Sequence, residues 1–332
     1  VPVPRRTHRL TVGDDRWWEG AVFYQIYPRS FADSSGDGIG DLAGITERLD
    51  HLAWLGIDAI WLSPIFTSPM ADFGYDVADY CGIDPVFGTL DDFDRLLDEA
   101  HRRNIRVTID WVPNHTSDQH PWFLDARSSP ESPRRDWYVW REPKPDGSLP
   151  NNWEACWGIG PAWTLDAASG EYYLHLFLPQ QPDLNWANPE VEAAMLDTLR
   201  FWLDRGVDGF RADVINLIGK GPELADLDGG GSPIAHIDAP RVHDHLRAIR
   251  SVLDSYPHHP MMVGEIILFD PGQVRSYYGN DDELHLGFDF RSIATPWSAD
   301  GFAQRIDEVH AEYGTEHWPV WVLGNHCLLY TS

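Results

Sequence analysis

The amino-acid sequence, 332 residues long, predicts an α/β fold built on a parallel sheet. Short β-branched or aromatic runs alternate with amphipathic stretches of helical length, a pattern typical of βαβ units. Polar residues collect where the predicted strands end, which is where parallel barrels keep their reactive side chains. Seven such units, with one long connection after the third strand, favour a (β/α)8 TIM barrel, incomplete at seven strands, over a doubly wound sheet.

Seven runs predict the strands. In chain order they are AVFYQIYP (21–28), DAIWLSP (58–64), IRVTIDWVP (105–113), VDGFRADV (207–214), MMVGEII (261–267), LGFDF (286–290) and VWVLGN (320–325). The helical stretches between them are clearest at 42–56, 90–104 and 189–206. The third begins after Asn188 and ends at Gly206, residue types that commonly start and stop helices.

One connection is too long for an ordinary loop between a strand and a helix. Residues 115–186 are rich in Trp, Pro, Ser and Asp and show few helical periods, so we interpret them as an inserted subdomain. The barrel is then divided into residues 1–114 and 187–326, and residues 327–332 are expected to be a non-native tail. A Gly- and Pro-rich stretch at 221–240 predicts a mobile loop after the fourth strand.

Acidic residues outnumber basic ones. The 52 Asp and Glu residues against 25 Lys and Arg give a formal net charge of −27, which disfavours nucleic acid and anionic membranes as partners. No apolar run approaches the roughly 18 residues of a membrane helix, and the basic start of the chain lacks the apolar core of a signal peptide. Cys81, Cys156 and Cys327 have no zinc-ligand spacing. We therefore expect a cytoplasmic protein.

Two charged residues share one face of the fourth predicted strand. In GFRAD (209–213), Arg211 and Asp213 are two residues apart and point to the same side of a strand. An Arg beside a carboxylate lowers the pKa of that carboxylate and keeps it ionised, as a nucleophile requires. A structural ion pair is the alternative explanation of the same pattern.

A second carboxylate ends the fifth predicted strand. Glu265 follows Gly264, which leaves room for a ligand, and apolar residues flank it, so we expect it to be harder to ionise and suited to donating a proton. Two carboxylates in unlike environments divide the roles of acid and nucleophile. Retaining glycosidases hold such a pair about 5–5.5 Å apart. Neighbouring barrel strands are able to hold Asp213 and Glu265 at that separation.

Several short segments, in chain order, carry a specific resemblance. DWVPNH (110–115), GFRAD (209–213), GE (264–265) and GNH (324–326) resemble the four ordered motifs of glycoside hydrolase family 13, the α-amylase family. GYD (74–76) and QPDLNW (181–186) resemble its accessory motifs. The likeness extends over roughly residues 17–326. It implies a (β/α)8 barrel and a C-terminal β-domain, and we expect the 332 residues to stop short of the eighth strand and the β-domain.

The resemblance implies a role for each matching residue. Asp213 would be the nucleophile, Glu265 the general acid/base, and Arg211 the residue that orients Asp213. The residues implied to form the substrate pocket are Asp72, Tyr75, Asp110, His115, Gln181, Arg211 and His326. Among them Tyr75 would stack on the glucose ring and Asp110 would brace the pocket from the third strand.

One position departs from the family pattern. The family's third carboxylate, which stabilises the transition state, follows Asn-His directly, and Cys327 stands in that place here. We expect the natural protein to have Asp at this position. We also expect the sequence to be a fragment of a longer enzyme.

Within the family, FYQIYPRSF, QPDLN and Val214 resemble the oligo-1,6-glucosidase and α-glucosidase branch. The resemblance implies a retaining α-glucosidase that releases terminal glucose from short α-glucosides such as isomaltose, maltose or sucrose through a covalent glucosyl-Asp intermediate. One alternative is a trehalose synthase or sucrose-acting transglucosidase. Another is a silent relative or inactive fragment that acts as a sugar-binding or scaffold protein. Three tryptophans of the inserted subdomain are expected to line the entrance: Trp153, Trp157 and Trp163.

The segment DSSGDGIGD (33–41) alternates oxygen donors with glycines. It is not an EF-hand, because its twelfth position is Gly44 and a predicted strand precedes it. The resemblance implies a structural Ca²⁺ or Mg²⁺ bound by Asp33, Ser35, Asp37, the Ile39 carbonyl and Asp41. A Gly/Asp turn without metal is the alternative. No organic cofactor is expected.

Overall fold

A computed structural model describes residues 15–221, 223–237, 240–268, 270–314 and 317–323. Its strands, in chain order, are β1 Phe23–Ile26, β2 Ala59–Leu62, β3 Phe66–Thr67, β4 Asp79–Ile83, β5 Arg106–Trp111, β6 Trp140–Arg141, β7 Trp163–Leu165, β8 Tyr172–Leu174, β9 Gly209–Ala212, β10 Met261–Gly264, β11 Leu286–Asp289 and β12 Val320–Trp321. Its α-helices are α1 Pro28–Phe31, α2 Leu42–Leu55, α3 Leu90–Arg102, α4 Pro121–Ser128, α5 Pro189–Asp204, α6 Arg241–Asp254, α7 Pro271–Ser276 and α8 Ala299–Tyr313.

The central sheet has the strand order β1-β2-β5-β9-β10-β11-β12, and every neighbouring pair is parallel. Each of the seven predicted strands contributes one member of this sheet, in chain order. This is the order of a (β/α)8 barrel with seven of its strands, so the predicted fold class is confirmed. All parallel neighbours expose their carboxyl ends at one edge, which is where the candidate site lies.

The predicted helices are confirmed, and their ends follow ordinary capping chemistry. Asp41 caps α2 by accepting a hydrogen bond from the Gly44 N–H, and α2 ends at Gly56 with φ of 82°. Thr89 and Asp92 form a reciprocal capping box at the start of α3. Asn188 caps α5 through the Glu190 N–H. These caps satisfy N–H groups that would otherwise have no partner within the helix.

The segment between β5 and α5 contains a small antiparallel sheet with the order β6-β8-β7. Val139, Trp163 and Leu174 of this segment are buried in an apolar cluster that also contains residues following β9, among them Val214 and Ile234. Isolated bridges between His115 and Asp183 and between Tyr138 and Leu184 connect the two ends of the segment. Its first and last residues therefore lie together beside the carboxyl end of β5.

The main core packs the helices against the outer face of the central sheet. Leu49 and Leu52 of α2, Phe93 of α3 and Trp202 of α5 are fully buried there. In the part of the chain that the structure describes, no helix is both long and apolar enough to cross a membrane.

Candidate active site

The carboxyl edge of the sheet gathers three acids and one arginine from three adjacent strands. Asp110 on β5 is in register with Arg211 on β9. Ala212 on β9 is in register with Gly264 on β10, so Asp213 and Glu265 each follow a paired residue at the strand ends. β9 ends two residues and β10 three residues earlier than the sequence pattern predicts. The acids therefore emerge from the sheet at one level.

Arg211 contacts all three carboxylates. Its Nη1 lies 2.8 Å from Asp110 Oδ1 and also donates to Asp213 Oδ1, while its Nη2 lies 2.6 Å from Glu265 Oε2. The guanidinium is 1 % exposed and lies 5.2 Å from the centre of the Trp61 ring. The sequence predicted only the contact with Asp213. It also placed Glu265 among apolar groups alone, whereas the structure pairs it with the same arginine.

A strained residue separates Asp213 from the following turn. Val214 has φ of 39° and ψ of 46°, a left-handed conformation that a β-branched residue rarely adopts. In this conformation the Val214 N–H donates to Glu265 Oε2 at 3.2 Å. The Ile215 N–H donates to the Glu265 carbonyl at 2.9 Å. The turn after β9 thus holds the side chain and the backbone of Glu265.

Burial has the largest influence on the pKa values of Asp213 and Asp110. It raises the pKa of Asp213 well above its ordinary value, and the Arg211 guanidinium opposes that rise. Burial likewise raises the pKa of Asp110 to about 6, again against Arg211. The sequence predicted that Arg211 lowers the pKa of Asp213, and that contribution is confirmed. Burial raises this pKa by more than Arg211 lowers it, so the expected net decrease is wrong.

Asp72, His115 and Gln181 form a second group beside the carboxylates. Gln181 Nε2 donates to Asp72 Oδ2 at 2.9 Å and lies 3.1 Å from His115 Nε2. Burial lowers the pKa of His115 to about 3 and raises the pKa of Asp72 to about 6. His115 is therefore a neutral imidazole at neutral pH. Tyr75 belongs to the carboxylate group, because its hydroxyl donates to Asp110 Oδ2 at 3.2 Å.

Sequence reasoning missed a buried lysine behind this group. Lys220 Nζ donates to Asn114 Oδ1 at 2.5 Å and to the Leu217 carbonyl at 2.8 Å, and it lies 3.7 Å from Asp183 Oδ2. Asn114 in turn donates to Asp183 Oδ1 at 2.6 Å and lies 3.1 Å from His115 Nδ1. The signal was a single lysine at the end of the apolar run VINLIGK, where a charged side chain requires a buried partner.

The structure places two further sets of predicted residues. Of the three tryptophans expected at the entrance, Trp153 and Trp163 are buried, at 7 % and 4 % exposure, so that prediction is wrong for them. Both indole N–H groups find internal acceptors, which explains why a polar-tipped ring is stable inside the subdomain. Trp157 is exposed and packs on Phe177, whose ring contacts His115. His326 and Cys327 lie outside the described residues.

The loop at 33–41 is shaped by its own hydrogen bonds. The Asp33 carboxylate accepts the N–H groups of Ser35, Gly36 and Gly38, which lower its pKa. Asp41 caps α2, and Asp37 accepts the Ile39 N–H. Oxygen donors suit Ca²⁺ or Mg²⁺, but among the described residues no three acidic, His or Cys side chains converge as a metal ligand set. Cation binding at this loop stays a prediction.

Comparisons with a family model and with individual proteins agree on one family. The model of the α-amylase catalytic domain matches residues 25–327. The chain is 46% identical to a probable α-glucosidase of Rhizobium meliloti, over 96% of this chain and 61% of the relative. It is 50% identical to an oligo-1,6-glucosidase of Heyndrickxia coagulans, over 83% of this chain and 51% of the relative.

A solved structure agrees with these relatives. The crystal structure of the α-glucosyl transfer enzyme XgtA superposes with a TM-score of 0.87 at 45% identity, and the match covers 93% of this chain and 61% of that one. The chain thus spans about half to three-fifths of the length of the proteins that it matches. By its sequence motifs, its parallel barrel order and these matches, the chain belongs to the α-amylase family.

Proposed function

We propose that this chain carries the catalytic centre of a retaining α-glucosidase that acts on short α-glucosides. The observation that supports this most directly is Arg211, whose one guanidinium contacts Asp110, Asp213 and Glu265 at the carboxyl edge of the barrel. With Glu265 protonated as the acid, the Asp110 and Asp213 carboxylates against one cation still leave an excess of negative charge. Such a site favours the positive, oxocarbenium-like state through which glycosidic bonds break.

In the first step, a carboxylate oxygen of Asp213 attacks the anomeric carbon of the glucose unit. The bond from that carbon to the glycosidic oxygen breaks as Glu265 gives its proton to the leaving oxygen. In the second step, Glu265 takes a proton from water, the water oxygen bonds to the anomeric carbon, and the Asp213 carboxylate leaves. Two inversions restore the α configuration.

The pocket residues supply orientation rather than proton transfer. Asp72 and Gln181 offer an acceptor and a donor on one side, and neutral His115 adds a ring nitrogen. Tyr75 lies beside the carboxylates with its ring available to stack on a sugar face. Buried, pre-arranged groups of this kind favour one short terminal unit over an extended chain.

Cys327 bears on the level of activity. If the family's third carboxylate belongs at this position, a thiol there removes one negative charge from around the transition state. Each loss of about 1.36 kcal/mol in stabilisation lowers the rate about tenfold. We therefore propose that Cys327→Asp raises kcat by two or more powers of ten.

The decisive experiment measures hydrolysis of isomaltose, maltose, sucrose and trehalose by the Cys327→Asp chain and by its Asp213→Asn and Glu265→Gln derivatives. We expect each derivative to lose about 10³-fold or more in kcat, and NMR to show the α anomer as the first product. Asp307→Asn, an exposed aspartate on α8, is the matched control. Release of the β anomer would overturn the retaining mechanism.

The alternatives predict other outcomes of the same assay. The similarity to an α-glucosyl transfer enzyme favours transfer as the second candidate, because a glucosyl-Asp intermediate reacts with a sugar hydroxyl as it does with water. In that case added glucose diverts the product from free glucose to a new disaccharide. A silent relative would bind these sugars without turnover even in the Cys327→Asp chain.

The proposed enzyme also includes a bound cation with a structural role. We propose that Ca²⁺ or Mg²⁺ binds the 33–41 loop through Asp33, Ser35, Asp37, the Ile39 carbonyl and Asp41. Binding to the folded chain alone would raise the melting temperature with cation concentration. Asp37→Ala would remove that rise, and an unchanged melting temperature across millimolar cation would contradict the site.

A further inference from the structure

Residues 223–237, which we call the strap loop, follow β9 and the turn after it. The sequence predicted mobility for this region because it is rich in Gly and Pro. The structure shows it bound to the segment between β5 and α5 by a row of side-chain hydrogen bonds, and its mobility stays a prediction. Three consecutive residues, Asn151, Asn152 and Trp153, make these bonds, and we call them the clamp.

Asn152 makes the most specific contact of the clamp. Its Nδ2 donates to the Leu227 carbonyl at 2.8 Å, and its Oδ1 accepts the Leu227 N–H at 2.8 Å. The Asn152 backbone N–H donates to Asp226 Oδ1 at 2.8 Å. A single carboxamide thus pairs with both polar groups of one peptide residue, as a neighbouring strand would.

The two flanking residues bind the strap loop from the interior. Asn151 Nδ2 donates to the Leu224 carbonyl at 2.9 Å, and its Oδ1 accepts the Trp163 indole N–H at 2.6 Å. Trp153 Nε1 donates to the Ala225 carbonyl at 2.8 Å. Both side chains are buried, so an unmade bond here would leave a desolvated polar group.

The other end of the strap loop is fixed next to the catalytic carboxylates. Asn216, three residues after Asp213, donates to the Ile237 carbonyl at 3.1 Å and accepts the Ile267 N–H at 3.1 Å. Ile234 and Ile237 share one apolar cluster with Trp153, with Phe177 beside His115, and with Val214. The strap loop therefore connects the subdomain to the residues that follow Asp213 and Glu265.

We propose that Asn152 is a positioning residue that holds the strap loop as a fixed wall beside the catalytic carboxylates, and that this wall selects short α-glucosides. This inference rests on the proposed function and deepens it. If the strap loop is ordered before the substrate binds, the free energy of binding does not include the entropic cost of ordering this loop. A loosened wall should weaken the binding of disaccharides while leaving the chemical step, which uses Asp213 and Glu265, nearly unchanged.

The test compares Asn152→Ala with Asn280→Ala, an exposed asparagine between α7 and β11, in the full chain with Cys327→Asp. With two net hydrogen bonds lost at an exposed site, we expect KM for isomaltose to rise about 3- to 10-fold and kcat to change less than about twofold. KM for isomaltopentaose should rise less than KM for isomaltose. Amide hydrogen exchange within residues 223–237 should accelerate by a similar factor, and the control should match the parent protein.

Trp153→Phe supplies a second variant, because it removes the N–H donor but keeps an apolar aromatic ring, although a smaller one. It should shift KM and exchange in the same direction, and the double variant should show less than the sum of the two effects because both act on one loop. Unchanged exchange in both variants would overturn the clamp. A rise in KM by the same factor for isomaltose and isomaltopentaose, together with an equal fall in kcat for both, would overturn the role of the clamp in substrate selection. If the parent chain turns over no glucoside, the proposed function fails while the exchange comparison still decides the clamp.

Discussion

Two buried clusters in this protein each place a cation among polar groups, yet their charge balance differs. Arg211 contacts Asp110, Asp213 and Glu265, whereas Lys220 lies among the carbonyl oxygens of Asn114 and Leu217 and a single carboxylate, Asp183. The first cluster is left with excess negative charge and the second is close to neutral.

The two clusters also differ in access to solvent. In the first, the side chains of Asp213 and Glu265 are 10 % and 13 % exposed, while in the second Asp183 is fully buried. Unbalanced charge is costly to bury and is maintained only where a ligand or a transition state uses it. This difference supports the proposal that the first group reacts with substrate, whereas the second group binds Asn114, which contacts His115.

Removal of Arg211 should have the largest effect. Arg211→Met leaves three neighbouring carboxylates without a cation, so we expect a loss of at least about 3–5 kcal/mol in the free energy of unfolding, measured by urea denaturation. Arg103→Met is the control, since Arg103 also contacts two carboxylates, Asp50 and Glu99, but at a solvent-exposed site. It should cost about 1 kcal/mol or less. Equal losses in the two variants would contradict the distinction.

Removal of Lys220 should cost less and should depend on pH. Burial raises the pKa of Asp183 to about 6 in the folded chain, against about 3.9 when unfolded. The folded state binds more protons between these values, so Asp183 lowers stability as pH rises through that window. Lys220→Met raises this pKa further, and the variant should lose about 3 kcal/mol at pH 8 but clearly less at pH 5.

A double variant sharpens the result. Lys220→Met with Asp183→Asn removes both charges, so it should recover part of the lost stability and show little dependence on pH. A Lys220→Met deficit that is the same at pH 5 and pH 8 would mean that Asp183 is not the partner that matters.

The first cluster should impose its own pH dependence on activity. Burial raises the pKa of Asp110 to about 6 and that of Asp213 well above its ordinary value. Burial also raises the pKa of Asp72, in the neighbouring pocket group, to about 6. Each of these groups acts as a carboxylate, so kcat/KM should fall as pH drops through about 6, by about tenfold per unit or more. A profile that stays flat down to pH 4.5 would contradict these raised values.

The smallest effect concerns one hydroxyl at the edge of the first cluster. Tyr75→Phe removes the donor to Asp110 Oδ2 but leaves Trp61 Nε1, which donates to the same oxygen at 3.2 Å. We expect a loss of about 1 kcal/mol, or roughly fivefold in kcat/KM. Tyr256→Phe removes an exposed hydroxyl bonded to Asp204 and should leave kcat/KM unchanged.

Much of the fold followed from local patterns. Alternating strand and helix periods predicted the seven parallel strands, and the caps at Asp41 and Asn188 had ordinary sequence signals. Strand ends were less accurate, because Val214 leaves the strand through a left-handed conformation that its β-branched side chain does not suggest. The bonds of the strap loop were not predicted for a related reason: composition alone was considered, and the side chains that bind this loop lie about 75 residues earlier in the chain.

The sequence by itself determined the order of the strands, the positions of Arg211, Asp213 and Glu265 at strand ends, and the family, because periodicity and motif order are local properties. Only the tertiary structure decided that one arginine serves three carboxylates, that Lys220 reaches Asn114 and lies near Asp183, and that burial outweighs Arg211 in setting the pKa of Asp213. These outcomes depend on the distances between residues that are far apart in the chain and on how completely water is excluded around them. A local sequence pattern predicts neither the distances nor the burial.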